Sequence, residues 1–555
     1  MLILSCCAGA QSSAQEGVDV DVIGPETYEP PDFPFLEGET PGSVSIGDVT
    51  EGRLVYGRPV ELPGRGHTLL PRHARRGLHY GTDELVDMIE FVGYRLRRRR
   101  GSLLRVGNLA ARHGGDITYS VSHNSGRDVD FAFCYQNAKG KRVRVSDFIA
   151  LDAKGKSRKH GGKYRFDAAC TWTIVTAVLG HKGTQVQYIF IANPLRAMLL
   201  DYARSSGANA RIVTRAAAVL YQPGRRTHDD HLHVRIYCSE EDVGLGCVNT
   251  GVEHAWIDVF PERRGEAMRA LVAHTEHADP EQRARAVERL VLLHGAEFLD
   301  AVLRLLRDPQ ARPRAAAAVA VRELGGPNEV AALAAAFSQE EDPTVRRALF
   351  GAAIALGGPD ATQLLLEVVG ADQVEEDLRI EAFAHAGRSG NTKLAPTLHR
   401  WVVAQPPTLR EPAEAALRRL SNRSFPAPDA WEAWLAQQES ASHEQWVLDG
   451  FQQAGFDVPA LDKKHVWGLV PALLGPDHIA FNARRSLERI TGHQPRPRVP
   501  AELCEHWVDW LDRRVRRLRL RRTPRGLRRS CAETPVREIP RPAQSGGGAV
   551  APGQR

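Results

Sequence analysis

The chain has 555 residues, of which 43% are hydrophobic and 25% are charged. This length exceeds one ordinary domain, and the composition excludes a wholly disordered, collagenous or coiled-coil protein. The net charge of +6 is unevenly distributed, because residues 513–555 contain thirteen Arg and two Glu and therefore carry +11. The remaining residues sum to −5, so bulk charge predicts no specific nucleic-acid partner.

The amino-terminal segment has some features of a targeting signal. Leu2 to Cys6 is apolar, but it is shorter than a secretory signal and no basic residue precedes it. The order Ile-Leu-Ser-Cys nevertheless resembles a bacterial lipoprotein signal, in which the cysteine receives the lipid. We predict a signal remnant and flexible lead-in over 1–40, with peripheral or lipid-anchored membrane association through Cys6; a short disordered tail is the alternative.

Helix and strand patterns are mixed over residues 41–255. Thr82 precedes a stretch with apolar residues at helical spacing, which predicts a capped helix. Residues 129–133 and 232–236 alternate between apolar and polar, as half-buried strands do, and 185–192 has the composition of a buried strand. These patterns predict an α+β domain with a small antiparallel sheet.

A helical repeat is predicted over 260–425. The segment that begins at Arg314 recurs at Arg346, and further copies begin at Arg285 and Arg379. Each copy ends in glycine, which we interpret as a helix C-cap. A helical period of about 30 residues is typical of a solenoid, and the pattern resembles HEAT repeats. We therefore predict an all-α HEAT-like solenoid whose surface binds a protein partner.

Two tryptophan pairs follow the repeats. Trp431 and Trp434 form one pair and Trp507 and Trp510 the other, and the members of each pair are three positions apart along the chain. Residues at this spacing share one helix face. We interpret both pairs as core that closes the solenoid over 426–512, in preference to a ligand site.

The basic segment 513–555 ends in a Pro- and Gly-rich stretch. This composition predicts a disordered tail. Its arginines would attract anionic surfaces such as wall polymer or lipid headgroups, with strong salt dependence. A solvated end without a binding role is the alternative.

Four cysteines are placed for pairing. Cys238 and Cys247 lie nine residues apart in a glycine-containing stretch that favours a loop. Cys134 and Cys170 form a second candidate pair. Reduced, buried thiols remain the alternative for both pairs.

Two segments rich in His and Asp, 122–131 and 228–236, carry the candidate chemistry. Either motif alone is weak, because each would occur by chance in a chain of this composition. In a strand, however, residues two apart point to the same face. His231 and His233 then face one way while their apolar neighbours face a core, and Asp130 is placed in the same manner.

Two histidines and one aspartate match the ligand pattern of catalytic zinc, in which water takes the fourth position. His123, Asp130 and His233 provide this set, and we predict one Zn²⁺ ion. Zinc lowers the pKa of its bound water towards about 7. A further titratable group must then accept and return protons, and His231 is suited to that role.

Both segments resemble those of the penicillin-insensitive murein endopeptidases. This family is grouped with lysostaphin-type peptidases, D-Ala-D-Ala carboxypeptidases and hedgehog domains. The similarity covers about residues 40–250. Beyond the two motifs, it includes 45–47, 79–81, 188–194 and 233–238.

The resemblance implies a role for each candidate residue. His123, Asp130 and His233 match the zinc ligands of the family. His231 matches the catalytic acid and base, and His228 matches a further active-site histidine that stabilises the oxyanion or holds substrate. The implied substrate is the D-alanine–meso-diaminopimelate cross-link of peptidoglycan, in the periplasm or cell envelope of a Gram-negative bacterium.

Several points depart from the family or stay open. Ser120 stands where some relatives have a histidine for a second metal, so we expect a single zinc ion. Arg127, Asp128 and Arg235 either orient ligands, bind a substrate carboxylate or form ion pairs, and we favour ion pairs. The alternative functions are a non-catalytic module that binds wall peptide or protein, a D,D-carboxypeptidase and an L,D-endopeptidase. His181 is predicted to be a bystander.

Overall fold

The computed structural model describes residues 33–39, 42–224, 228–403, 407–438, 440–495, 499–515, 524 and 527–532. The chain divides after Val302 into two compact units. The predicted signal remnant with Cys6 and most of the predicted basic tail lie outside the described residues. Each helix within these ranges is too short or too polar to cross a lipid bilayer.

Among the described residues, all strands belong to the first unit. In chain order they are β1 (Val44–Ile46), β2 (Arg53–Val55), β3 (Arg58–Pro59), β4 (His67–Leu69), β5 (Tyr80–Gly81), β6 (Leu104–Val106), β7 (Asp128–Ala132), β8 (Tyr135–Gln136), β9 (Arg142–Val143), β10 (Arg165–Phe166), β11 (Val186–Phe190), β12 (Leu220–Tyr221) and β13 (His231–Ile236).

The main sheet has the strand order β12-β11-β13-β7-β6-β4. Its central neighbours β11, β13, β7 and β6 are antiparallel, while the outer pairs β11–β12 and β4–β6 are parallel. The predicted α+β fold with a small sheet is confirmed, and its antiparallel part forms the centre. A separate three-stranded sheet joins β10, β8 and β9.

Helices cover one face of the main sheet. The helices of this domain are α1 (Pro71–Ala74), α2 (Asp83–Arg100), α3 (Ala168–Val178), α4 (Asn193–Ser205), α5 (Ala210–Val219) and α6 (Glu240–Leu245). The hydroxyl of Thr82 accepts the backbone N–H of Leu85 and caps α2 as predicted. Leu232, Val234 and Ile236 on β13 are buried in the same core as the apolar face of α2, so the opposite sheet face is left for polar side chains.

The described residues after this domain form helices joined by turns. The further helices are α7 (Pro261–His274), α8 (Pro280–Leu292), α9 (Leu299–Arg304), α10 (Ala311–Leu324), α11 (Val330–Gln339), α12 (Pro343–Leu356), α13 (Gly358–Gly370), α14 (Glu376–Ser389), α15 (Ala395–Val403), α16 (Pro407–Ser421), α17 (Pro428–Leu435), α18 (His443–Gln453), α19 (Val466–Ala472), α20 (Asp477–Thr491), α21 (Pro500–Asp512) and α22 (Leu527–Ala532).

The repeat register is defined by an arginine at the fourth position of α8, α10, α12 and α14. Arg283, Arg314, Arg346 and Arg379 each donate to a carbonyl six or eight residues earlier, in the turn before their own helix. The predicted copy beginning at Arg285 is therefore shifted by two residues. Arg285 instead pairs with Glu281 on its own helix surface, because the arginine needs the fourth position to reach that turn.

The glycine caps are only partly as predicted. Gly357 ends α12 with φ of 75°, a left-handed conformation that glycine adopts without a Cβ penalty. Gly387, in contrast, lies buried inside α14, which ends at the left-handed Gly390. A Cβ at residue 387 would lie 2.9 Å from the backbone of Ala416 on α16, so this glycine permits close helix packing.

The tryptophan pairs contribute to the core, and the cysteines among the described residues form disulfides. Trp431 and Trp507 are fully buried, in agreement with their interpretation as core. Disulfides join Cys134 to Cys170 and Cys238 to Cys247, the two pairs named from the sequence. A third disulfide, which the sequence did not indicate, links α21 to α22 through Cys504 and Cys531.

Candidate metal centre

The pairing of β7 with β13 brings the two sequence motifs together. In this antiparallel register, His233 lies directly opposite Asp130, and Val234 lies opposite Val129. Because side chains alternate along both strands, the polar pair faces away from the core that the valine pair joins. Two segments about a hundred residues apart thus contribute neighbouring side chains to one sheet face.

His123 reaches the same place from the loop before β7. Its backbone is left-handed, with φ of 78°, and Gly126 in the same loop has φ of 77°. A non-glycine residue rarely adopts this conformation, and such strain is commonly found at functional sites. The backbone N–H of His123 donates to Asp128 Oδ2 over 3.2 Å, which holds the loop against the strand.

The three predicted ligands converge on one carboxylate oxygen. Asp130 Oδ1 lies 3.4 Å from His123 Nε2 and 3.2 Å from His233 Nδ1. Ligand atoms 2.0–2.1 Å from a tetrahedral zinc ion lie about 3.3 Å from one another. The observed spacing therefore suits an ion of this kind, and the three residues form a buried group that could hold a metal.

The hydrogen bonding of these atoms supports the same interpretation. Both ring nitrogens of His123 and Oδ1 of Asp130 are buried and make no hydrogen bond within the described part of the chain. Buried polar atoms are costly unless they are hydrogen-bonded or bind a metal. Burial tends to raise the pKa of Asp130, but the imidazoles of His123 and His231 outweigh it and hold this pKa well below its usual range.

Asp128 supports the site from the same strand. Its carboxylate accepts two hydrogen bonds from Arg235, over 2.7 and 2.9 Å, and its Oδ2 lies 3.4 Å from His233 Nε2. Burial tends to raise the pKa of Asp128, but Arg235 and His233 lower it well below its usual range. Asp128 therefore forms an ion pair, as the sequence favoured, and also lies where it can orient a ligand.

Asn108 supports the second oxygen of the ligand carboxylate. It donates from Nδ2 to Asp130 Oδ2 over 3.2 Å and accepts at Oδ1 from Arg76 Nη1 over 2.9 Å. The sequence did not single out either residue. No local signal marks them, because both precede the motif segments and meet Asp130 only through the fold.

His231 lies beside the ligand group with its ring held on two sides. Nε2 is 3.4 Å from Asp130 Oδ1, and Nδ1 is 2.6 Å from Asp230 Oδ1. The ring of Phe148 stacks on the imidazole at 4.7 Å. Burial tends to lower the pKa of His231, but Asp130 and Asp230 outweigh it and raise the pKa to about 10.

His228 lines the same cleft. Its ring centroid is 5.3 Å from that of His231 and 5.7 Å from that of His233, and it packs on Phe190. Together with His231 and His233 it forms a second group that could hold a metal. The two groups share His233, so they are overlapping arrangements within one site.

We name the cleft over His123, Asp130 and His231 the metal cleft. It has a volume of about 360 Å³, and Arg72 and Arg76 lie on its rim. Arg72 is largely exposed and pairs with Asp147 over 3.3 Å. The sequence motifs did not indicate this basic rim, which lies about fifty residues before the first motif. Further lining residues are His73, Asn108, Tyr119, Ser120, Asp147, Phe148, His228, Asp230 and His233.

Residues 45–252 match the family model of the penicillin-insensitive murein endopeptidases. This domain belongs to that family. The adjoining residues 268–353 match HEAT repeats, as the helical period predicted. No curated protein sequence matches the chain.

Two solved structures resemble the chain distantly. The complex of CpcE and CpcF of phycocyanin lyase from Nostoc sp. PCC7120 has a TM-score of 0.27 and 17% identity, over 48% of this chain and 99% of that one. An engineered protein has a TM-score of 0.25 and 12% identity, over 66% and 84%. Such low TM-scores carry no argument about function.

Arg127 and His181 of the murein endopeptidase domain make contacts that serve the fold. Arg127 is fully buried and donates to Ser45 Oγ and to the carbonyl of Val248. Burial lowers the pKa of Arg127 to about 10. His181 contacts Thr184 in its own loop and is absent from the residues that line the metal cleft.

Proposed function

We propose that the murein endopeptidase domain is a zinc-dependent hydrolase that cuts the amide between D-alanine and meso-diaminopimelate in cross-linked peptidoglycan. His123, Asp130 and His233 would hold one zinc ion. The observation that carries this proposal is the approach of both imidazoles to Asp130 Oδ1 at 3.2 and 3.4 Å. Family membership supports the peptidoglycan substrate.

Zinc, when bound, supplies Lewis acidity and lowers the pKa of water at the site. The chain's own residues keep the ligand set in place. Asp128 faces Nε2 of His233, which leaves Nδ1 directed towards Asp130. Asn108 holds the other carboxylate oxygen of Asp130. Such outer contacts orient ligands and raise metal affinity.

His231 would move the proton. Burial lowers the pKa of His231 and the charge of Asp130 raises it. When a bound cation offsets the charge of Asp130, Nε2 of His231 would take a proton from the attacking water and return it to the nitrogen of meso-diaminopimelate as the amide breaks. Asp230 at Nδ1 and the ring of Phe148 keep the imidazole facing the metal cleft. His228, whose ring centroid lies 5.3 Å from that of His231, would donate to the oxygen of the scissile carbonyl.

The basic rim would orient the substrate. The diaminopimelate residue that contributes the scissile nitrogen also has a free carboxylate beside it. Arg72 and Arg76 lie on the rim, and guanidinium groups bind carboxylates through paired hydrogen bonds. Arg76 also contacts Asn108, so substrate binding is linked to the support of Asp130.

We place this activity in the cell envelope, in the periplasm of a Gram-negative bacterium, where the substrate lies. The HEAT repeats would present a surface to a protein partner, since solenoids offer extended binding faces. The proposed boundaries remain 41–255 for the peptidase domain, 260–425 for the repeats and 426–512 for the closing helices. Lipid attachment at Cys6 has no support from the described residues.

The test is a digest of a purified cross-linked muropeptide dimer by zinc-loaded full-length protein, with the products resolved by mass. H231A and H123A should each lower turnover by at least about a thousandfold. H181A is the matched control, because it removes a histidine of the same domain outside the metal cleft, and it should retain activity.

The product masses separate the candidate functions. Conversion of dimers to monomers with an intact D-alanine end supports the endopeptidase. Release of terminal D-alanine alone would indicate a D,D-carboxypeptidase, and cleavage on the other side of diaminopimelate an L,D-endopeptidase. A protein that binds one zinc ion and the dimer without turnover would be a binding module, and the proposal would then be wrong.

A further inference from the structure

A second cleft in the peptidase domain is lined by Arg100, Arg105, Arg142 and Arg144. We name it the arginine cleft. Its volume is about 260 Å³, and its floor is formed by the end of β7, the start of β8 and one side of α3. None of its lining residues belongs to the metal cleft, so the mechanism proposed above leaves it without a role.

Two of the four arginines are engaged in holding the fold. Arg100 donates from Nε to Thr173 Oγ1 and from Nη2 to the carbonyl of Ala169, each over 2.9 Å. Arg142 pairs with Asp167 over 3.2 Å. These contacts hold the wall of the cleft in place. The positive charge of Arg142 balances the negative charge of Asp167.

The other two arginines lack a counter-charge. Among the residues that the structure describes, neither Arg105 nor Arg144 contacts a carboxylate. Arg105 is half-buried on β6, and Arg144 is exposed just after β9. Burial, and secondly the positive charge of Arg144, lower the pKa of Arg105. Two like charges held together at a concave surface favour an anionic ligand.

The arginine cleft lies close to the metal cleft along the chain. Arg144 and Asp147 are three residues apart, and Asp147 lines the metal cleft. Three residues of extended chain span no more than about 11 Å. Ala132 on the floor of the arginine cleft is likewise two residues from Asp130 on β7. One extended polymer can therefore reach both clefts.

We propose that the arginine cleft binds a free carboxylate of the peptidoglycan stem peptides, away from the bond that is cut, and so anchors the polymer. This inference rests on the proposed function. Stem peptides of peptidoglycan carry repeated carboxylates, and guanidinium groups recognise carboxylates in a planar, paired geometry. A second contact to the same polymer raises overall affinity through effective concentration.

The test measures binding separately from cleavage. Full-length protein with H231A, which leaves the wall intact, is sedimented with purified sacculi over a range of salt concentrations. Adding R105Q and R144Q should weaken binding about tenfold and flatten its salt dependence. R98Q with R99Q is the matched control, since it removes two exposed charges from the end of α2 and should change binding less than twofold.

Two further arms decide the outcome. R144Q alone, at an exposed position, should weaken binding about threefold and guards against misfolding of the double variant. Sacculi whose carboxyl groups have been amidated should bind the parent and the double variant alike. Equal losses in the double variant and the R98Q/R99Q control, no loss in the double variant, or a difference that survives amidation would each overturn the inference.

Cleavage of the soluble muropeptide dimer is measured in parallel, with His231 intact. R105Q/R144Q should raise the KM for the dimer and change its kcat little, because the dimer carries the same stem-peptide carboxylates and the arginine cleft does not contact the bond that is cut. If the parent itself fails to cleave the dimer, the proposed function fails. The sedimentation result still decides whether the cleft binds carboxylates.

Discussion

At the residue scale, Asp128 and Asp130 are two residues apart on β7 and point the same way, yet they meet different partners. Asp130 faces three imidazoles without a hydrogen bond at Oδ1. Asp128 is neutralised by Arg235 and faces the outer nitrogen of His233. The first carboxylate is thus available to a cation, and the second serves the ligand.

Replacing Asp128 should weaken metal binding without removing a ligand. In D128N, His233 loses its charged partner and Arg235 is left buried without a counter-charge. We expect zinc affinity to fall about 10- to 100-fold and the free energy of unfolding to fall by about 3 kcal/mol. Chelator competition measures the first quantity and denaturant titration the second.

The matched control is D201N, which breaks the exposed pair between Asp201 and Arg204. Pairs of this kind contribute at most about 1 kcal/mol, so zinc affinity should not change. Equal zinc affinity in D128N and the parent would contradict the supporting role of Asp128.

Phe148 offers a second test at this scale, because it contacts His231 and none of the three metal ligands in the ring contacts described. F148A should lower kcat between about twofold and tenfold, the range expected for a lost aromatic stack. Zinc content should stay at one ion per chain. Y94A, at an exposed aromatic residue on α2, should retain kcat; zinc loss in F148A would show that Phe148 supports the ligands instead.

At the element scale, the glycines of α12 and α14 have opposite surroundings. Gly351 on α12 has no atom within 4 Å of the position of a Cβ. Gly387 on α14 meets the backbone of Ala416 on α16 at 2.9 Å. Gly351 therefore only lowers the helix propensity of α12, whereas Gly387 is required for the close packing of α14 against α16.

These surroundings predict opposite effects of the same substitution. G351A should stabilise the second unit by up to about 1 kcal/mol, because alanine has the higher helix propensity. G387A should destabilise it by about 1–3 kcal/mol, because the added methyl forces α14 away from α16. Calorimetry of the full chain measures both changes, and stabilisation by G387A would contradict the close approach.

At the scale of the whole molecule, the metal ligands all belong to the first of the two compact units. A ligand that binds only the folded state adds RT ln(1 + [L]/Kd) to its stability, about 2.7 kcal/mol at a hundredfold excess over Kd. Metal binding should therefore stabilise the first unit of the chain.

We expect chelation to lower the Tm of one calorimetric transition and to leave the transition of the second unit unchanged. Adding one equivalent of zinc should restore the Tm of that transition in the parent protein. H123A should show no response to zinc, whereas H181A should respond as the parent does. A zinc-dependent shift of both transitions would show that the two units unfold together.

Much of the site follows from the sequence because its pattern is local. Alternation in 232–236 and 129–133 is a property of each strand alone, so it indicated which side of β13 and β7 would carry His233 and Asp130. The helical period and the HEAT repeats are likewise visible without a fold, since each copy repeats the same apolar spacing.

Only the tertiary structure decided what joins these segments. The register of β7 against β13 sets His233 opposite Asp130, and the turn after α1 brings Arg76 to Asn108. The register of the repeats was also decided only by the tertiary structure. The sequence pattern of an Ala- and Leu-rich helix is nearly the same when it is shifted by two residues. Arg283 is distinguished from Arg285 by the carbonyl it reaches. Contacts between distant segments depend on how the whole chain closes, which local spacing does not encode.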